Sequence, residues 1–157
     1  MKKFATIIMA TLLLAVFPVF GEEEEKGSFN IQQGDIINIT VQETWEMLQN
    51  EEDGVQIPVD VRTFQEYFTE RIATPHTYDK PRLYPLQLIE KSLFAQLFNL
   101  LFKGKEVILY CRTAHRSYIA AKILVDSGYE GKLYNMVGGI VAWKAAGLPT
   151  VKGLGIG

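Results

Sequence analysis

The chain has 157 residues, 48% of them hydrophobic and 22% charged, with a formal net charge of −2. This is the composition of an ordinary soluble domain with a proper core, without the chain-wide basic footprint that nucleic-acid binding requires. A single cysteine, Cys111, excludes an intramolecular disulfide and a cysteine-rich zinc site, and with only His76 and His115 as imidazoles neither a metal nor an organic cofactor is expected.

Residues 1–21 have the anatomy of a secretory signal peptide. Lys2 and Lys3 precede an apolar run from Phe4 to Phe20, and Val19 and Gly21 are small enough to precede a cleavage site. The alternative is an uncleaved membrane anchor, the run being at the short end of the roughly 17–25 residues that span a bilayer. Export, to the bacterial periplasm, is the expectation, with membrane association only if the leader stays. Residues 22–33, opening on Glu22–Glu25, read as an acidic and polar lead-in. Residues 34–153 are the expected domain.

Within it, Ile36–Ile39 suits a short strand. Thr40 followed by Glu43 is a capping-box pattern, and Val41, Trp45 and Leu48 share one face of a helix expected to stop near Asp53-Gly54. "VQIPVDVR" reads as a buried parallel strand. Thr63 and Glu66 repeat the capping pattern before a short helix. "ATPHTYDKPRLYPL" is loop-like, with room for one short strand. "QLIEKSLFAQLFNLLFKGK" has helical periodicity, with Leu93, Leu97, Leu100 and Leu101 as expected core contacts and Gly104 as its stop. "EVILY" is the strongest strand. Ser117–Ser127 is an expected helix closed by Gly128. "KLYNM" is the last strand, and "VGGIVAWKAAGLP" makes a turn and a short helix. Tyr118, Trp45, Trp143 and the stripe from Phe94 to Phe102 are expected core. Strands alternating with helices predict an α/β domain with an open, mainly parallel sheet and helices on both faces.

In such sheets ligands bind outside the carboxyl ends of the strands, where Cys111 stands, directly after "EVILY". Residues 111–116 then form a tight loop running into a helix. Its N–H groups make an anion cradle, the helix N-terminus adds roughly half a positive charge, and Arg112, Arg116 and in part His115 add more. Such surroundings lower a thiol pKa from about 8.5 to roughly 3.5–7.5. A cysteine closing an apolar strand is by itself an ordinary core residue. Beside two arginines and a histidine it reads as a thiolate nucleophile facing a small oxyanion.

Three blocks resemble the rhodanese family of sulfurtransferases: "VDVRTFQEY" (Val59–Tyr67), "CRTAHRS" (Cys111–Ser117) and "GYEGKLYNMVGGIVAWKAAGLP" (Gly128–Pro149). The resemblance implies a five-stranded rhodanese-like sheet and a sulfur carried on Cys111 as a persulfide. The donor would be a thiosulfate-like anion, and the acceptor cyanide, a small thiol or a protein cysteine. Arg116 matches the loop-closing arginine that organises the loop and faces the anion. Arg112, Thr113, Ala114 and His115 match the variable positions that select the donor, and Ser117 follows them. Asp60 and Arg62 match the neighbouring signature, with structural capping and a local Arg62–Glu66 pair as the competing reading. Related phosphatases and arsenate reductases have a seventh loop residue. Six here, Cys111 to Arg116, favours sulfur transfer over that chemistry and leaves a non-enzymatic persulfide carrier or sulfide-responsive module as the alternative. Two departures stand out. "TERI" replaces the family's Gly-His-Ile, putting Arg71 in the histidine's place, and the segment from Ala73 to Pro85 is longer than the usual link. Gly138-Gly139 reads as close backbone approach beside the loop.

Overall fold

The computed structural model describes residues 35–154 apart from Glu51 and Asp53, so the expected leader, residues 1–21, and lead-in, 22–33, lie outside the described residues. The elements in chain order are β1 (Ile36–Ile39), α1 (Val41–Gln49), β2 (Gln56–Asp60), α2 (Phe64–Thr69), β3 (Arg71–Ile72), β4 (Arg82–Leu83), α3 (Leu86–Ile89), α4 (Ser92–Leu101), β5 (Glu106–Tyr110), α5 (His115–Asp126), β6 (Lys132–Met136), α6 (Gly139–Ala145) and β7 (Thr150–Val151). Five strands form one sheet in the order β1-β6-β5-β2-β4, every pair parallel. The expected α/β fold is therefore observed, and β4 is the short strand expected inside the proline-containing segment. Strands β3 and β7 form a separate antiparallel pair.

Side-chain alternation on β5 divides the interior into two cores. Val107, Leu109 and Cys111 meet α3, α4 and α5 through Ile89, Phe98, Ala120 and Leu124. Ile108 and Tyr110 face the other way, toward α1 and α6, with Leu48, Ile140 and Trp143. Helices thus cover both faces, and the carboxyl ends of β2, β5 and β6 open on one edge.

Local signals account for most boundaries. Both capping boxes form. The Thr40 and Thr63 hydroxyls accept from the N–H of Glu43 and Glu66, whose carboxylates accept from the threonine N–H groups in return. At the end of α5, the N–H of Gly128 donates to Val125 and that of Tyr129 to Leu124, with Gly128 at φ 87°. This is the hydrogen-bond pattern of a Schellman stop.

Several expectations are corrected. Helix α1 ends at Gln49, short of Asp53-Gly54. The single long helix after Pro85 is two helices, because Lys91 takes extended backbone between them. Helix α5 begins at His115, two residues before Ser117. Tyr118 lies at the surface, and Trp45 is half-buried, edge-on to the fully buried Trp143. The largest correction concerns α4. Leu93, Leu97, Leu100 and Leu101 are 70%, 41%, 72% and 59% exposed, while Ala95 and Phe98 point inward. The helix is apolar on both faces, so periodicity alone does not select the one that meets the sheet. The aromatic side wins because Phe98 fits among Tyr84, Phe102 and Tyr129, with ring centroids 5.0, 4.4 and 5.9 Å away. Phe98→Ala is accordingly expected to cost about 3–5 kcal/mol and Leu97→Gln less than about 0.5 kcal/mol. Denaturant unfolding checks the pair, and the reverse order would contradict this packing.

Candidate active site

Strand β5 delivers Cys111 to the open edge, and the chain turns at once into α5. The turn takes only Arg112, Thr113 and Ala114 before the helix starts. Closing it so tightly forces Ala114 to φ 90°, the single non-glycine residue in the left-handed region among the described residues. That conformation aims the Ala114 N–H at the Cys111 Sγ, 3.2 Å away. The Ser117 hydroxyl lies 3.6 Å from the same sulfur. Burial pushes the Cys111 thiol up, but the Ser117 hydroxyl and the N–H groups of Ser117, Thr113 and Ala114 outweigh it, and the net shift is downward. The anion cradle read from the sequence is present, built from backbone and one hydroxyl around a sulfur with no exposed surface.

The left-handed strain at Ala114 yields a direct expectation. An L-residue there costs about 1–2 kcal/mol, and glycine returns roughly 0.4–1 kcal/mol of that through its freer unfolded chain. Ala114→Gly should therefore raise the thermal midpoint by about 1–3 °C, measured calorimetrically. A lower midpoint would show that the methyl group contributes more through packing than it costs in strain.

The arginines divide their work differently from the sequence expectation. Arg116 does not stand open to an anion in the loop. Its Nη1 and Nη2 donate to Glu66 Oε2 and Oε1 at 2.8 and 2.7 Å, a two-pronged pair joining the head of α5 to the first turn of α2. Glu66 thus serves both as the capping glutamate of α2 and as the counter-ion of Arg116, whose hydrogen bonds draw the carboxyl down to about 2. Arg62 pairs with Asp60, not with Glu66. Its Nε lies 2.9 Å from Asp60 Oδ1, its Nη2 2.6 Å from Oδ2, and Nη2 also donates to the Glu70 carbonyl at 2.7 Å. Both side chains are buried at the end of β2, with Arg62 5.7 Å over the Tyr110 ring. They brace the rim of the site and make no contact with the sulfur. Arg112, Thr113 and His115 are exposed around the loop. A cleft of about 410 Å³ opens beside it, bounded by Arg62, Glu66, Arg112, Val141 and Lys144, with Lys144 held 2.5 Å from Glu70.

Two contributors escaped the sequence reading. Glu66 was read as a cap and as a local partner of Arg62, not as the partner of Arg116. Asn135 of β6 accepts the Ser117 hydroxyl at 2.7 Å and donates to Asn38 of β1 at 2.9 Å, a polar chain leading from the buried Ser117 to the exposed Asn38 on the edge strand. A polar residue in an otherwise apolar strand was the available signal. The loop is also held by the start of α6, where the Ile140 and Val141 N–H groups donate to the Cys111 and Arg112 carbonyls. Gly139, at φ 57°, makes this possible, because a Cβ there would lie 2.4 Å from the Cys111 carbonyl oxygen. The expected close approach at Gly138-Gly139 is thus observed.

The comparisons with known proteins agree with this arrangement. An uncharacterised protein of Synechocystis sp. is 36% identical over 115 residues, 73% of this chain and 57% of that protein. A sulfurtransferase of Allochromatium vinosum is 47% identical over 49 residues, 31% of this chain and 45% of that protein. The chain thus spans about half the length of the curated relatives it matches. The rhodanese-like domain of an Anabaena protein shares the fold with a TM-score of 0.58 at 22% identity, over 73% of this chain and 78% of that one. The family profile described as Rhodanese-like domain matches residues 40–146. On that match, which takes in the Asp60–Arg62 rim, the Cys111 loop and the Gly138-Gly139 turn, the chain belongs to the rhodanese-like domain family.

Proposed function

We propose that this chain is a sulfurtransferase that takes a sulfane sulfur from a small anion of the thiosulfate type onto Cys111 and passes it to a thiophilic acceptor. The observation that carries the reading is the ring of donors around a single sulfur: the Ser117 hydroxyl and the N–H groups of Thr113, Ala114 and Ser117, on a loop of six residues. These donors favour thiolate over thiol and then hold the charge that returns to the outer sulfur after transfer. The Cys111 thiolate attacks the outer sulfur of thiosulfate. A sulfur–sulfur bond forms as the donor's own breaks, sulfite leaves with that electron pair, and the negative charge ends on the outer sulfur of the persulfide. An acceptor thiolate or cyanide then attacks that sulfur and restores the Cys111 thiolate. Arg112, exposed at the cleft, supplies the cation that meets the incoming anion, since Arg116 is occupied by Glu66.

Intact-mass analysis after incubation with thiosulfate tests the reading directly. The expected result is one added sulfur atom, removed by cyanide and absent in Cys111→Ser. A chain that never gains sulfur from thiosulfate, a mercaptopyruvate-like thiol, polysulfide or glutathione persulfide sinks it. Alkylation by iodoacetamide is also expected to stay fast below the usual thiol range, about 8.5. A second reading is a persulfide carrier serving a protein acceptor. Slow turnover with cyanide together with fast delivery to a protein cysteine would select it. Export belongs to the proposal through residues 1–21, and N-terminal sequencing of the periplasmic protein tests it, with Glu22 as the expected first residue.

A further inference from the structure

We propose that the cavity beside β3 binds a small organic carboxylate on the guanidinium of Arg71. The cavity has a volume of about 250 Å³ and is lined by residues of β3, the following loop and β7, Arg71, Ile72, Thr74, His76, Pro81 and Val151 among them. None of its lining residues borders the cleft beside Arg112. It lies where the chain departs from the rhodanese pattern, with Arg71 in the histidine's place and the long segment from Ala73 to Pro85 forming its wall.

Arg71 is more than nine-tenths buried, at 8% exposure. Its guanidinium carbon sits 4.8 Å over the Tyr67 ring, and Nη1 donates to the Gly153 carbonyl at 2.7 Å. No carboxylate pairs with it among the described residues. The carboxylate of its chain neighbour Glu70 is taken by Lys144 and Thr150, and that of Asp79 by the ring and backbone N–H of His76. Arg62, by contrast, is equally buried and has Asp60. A buried cation without counter-charge is costly, and one aromatic face with one carbonyl offsets only part of that cost. An anion in the adjoining cavity supplies what the described residues do not.

The lining selects the class of anion. A guanidinium is a planar fork matched to a planar carboxylate. Ala73, Pro75 and Val151 present hydrocarbon, which an inorganic oxyanion would leave facing water, whereas the body of an organic acid covers it. The volume falls below the roughly 300 Å³ at which ordinary ligand pockets begin, so the ligand is short. The wall is braced by Tyr67, whose hydroxyl donates to the Pro81 carbonyl at 2.7 Å, and by the His76–Asp79 pair.

Titration of the full chain with sodium butyrate and sodium benzoate, with sodium sulfate and chloride at matched ionic strength, tests this by thermal shift and by amide chemical-shift mapping. The expected result is a saturable rise in melting temperature with both carboxylates and shifts centred on the amides of Ile72, Ala73, Thr74 and Val151. Arg71→Gln should weaken binding at least about tenfold, as loss of a charge-assisted pair does. The proposal is overturned if neither carboxylate saturates, if sulfate binds as tightly, if the shifts centre on residues 112–117, or if Arg71→Gln binds unchanged. Should Arg71→Gln fail to fold, the amide map of the natural sequence decides alone.

Discussion

Gly139→Ala is expected to lower the stability of this domain by about 3–5 kcal/mol and its melting midpoint by about 10 °C or more. Two costs add. The new Cβ would stand 2.4 Å from the Cys111 carbonyl oxygen and 2.5 Å from the Arg112 carbonyl carbon, and both are backbone atoms that no side-chain rotation can move away. The left-handed φ of 57° adds about 1–2 kcal/mol for any residue with a Cβ. The strain falls on the loop itself, because Ile140 and Val141 donate to the same two carbonyls. Reactivity of Cys111 toward iodoacetamide should therefore change together with stability. Gly104→Ala is the matched control. Gly104 has a similar φ of 70° but nothing within 4 Å of its Cβ position, so only the conformational cost remains. Calorimetry on the two variants separates crowding from conformation. Equal losses would mean that the close approach of α6 to the loop contributes nothing.

Glu66→Ala is the second large effect, with an expected loss of about 2–3 kcal/mol. It removes the capping partner of Thr63, worth about 1 kcal/mol, and leaves Arg116 without the carboxylate that both its terminal nitrogens engage. Glu66→Gln keeps most of the shape and drops the charge, so it isolates the ionic part. That part depends on pH. The folded-state value, about 2, lies below the ordinary 4.5. The stabilisation is therefore fully present above about pH 4.5 and is lost as pH falls through about 2. With both side chains roughly one-third exposed, it amounts to about 1–2 kcal/mol after solvent screening. Denaturant midpoints at pH 7 and pH 3 check this. The gap between the natural chain and Glu66→Gln should narrow as pH falls, and a constant gap would remove Glu66 as the titrating group.

These two positions also show where sequence reading stops. The capping role of Glu66 is legible from Thr63 three residues earlier, because a cap is a local arrangement. Its pairing with Arg116 is not, because fifty residues and two crossovers separate them, and only the parallel order of β2 beside β5 brings α2 to the head of α5. Arg116 consequently looked available to an anion until its partner was in view. Asn135 is similar, a polar residue inside a strand whose purpose appears only once Ser117 and Asn38 lie on either side of it.

The leucines of α4 make the same point about packing. Periodicity identifies a helix, but where both faces are apolar the choice between Phe98 and Leu97 rests on the shape of the cavity left by Tyr84, Phe102 and Tyr129. At Arg71 the sequence showed only a residue out of pattern. Its burial over Tyr67, with no carboxylate paired to it among the described residues, is what the proposed carboxylate site rests on.

By itself the sequence determined the alternation of strands and helices, both capping boxes, the stop at Gly128, the position of Cys111 at a strand end and the six-residue spacing from Cys111 to Arg116. All of these rest on interactions between residues a few positions apart. Tertiary structure alone decided which arginine is occupied and which is exposed, how α6 fastens the loop through Gly139, and which face of α4 is buried. Those outcomes depend on contacts between segments distant in the chain, where register, charge pairing and the space available at each contact select one arrangement among several that local pattern permits.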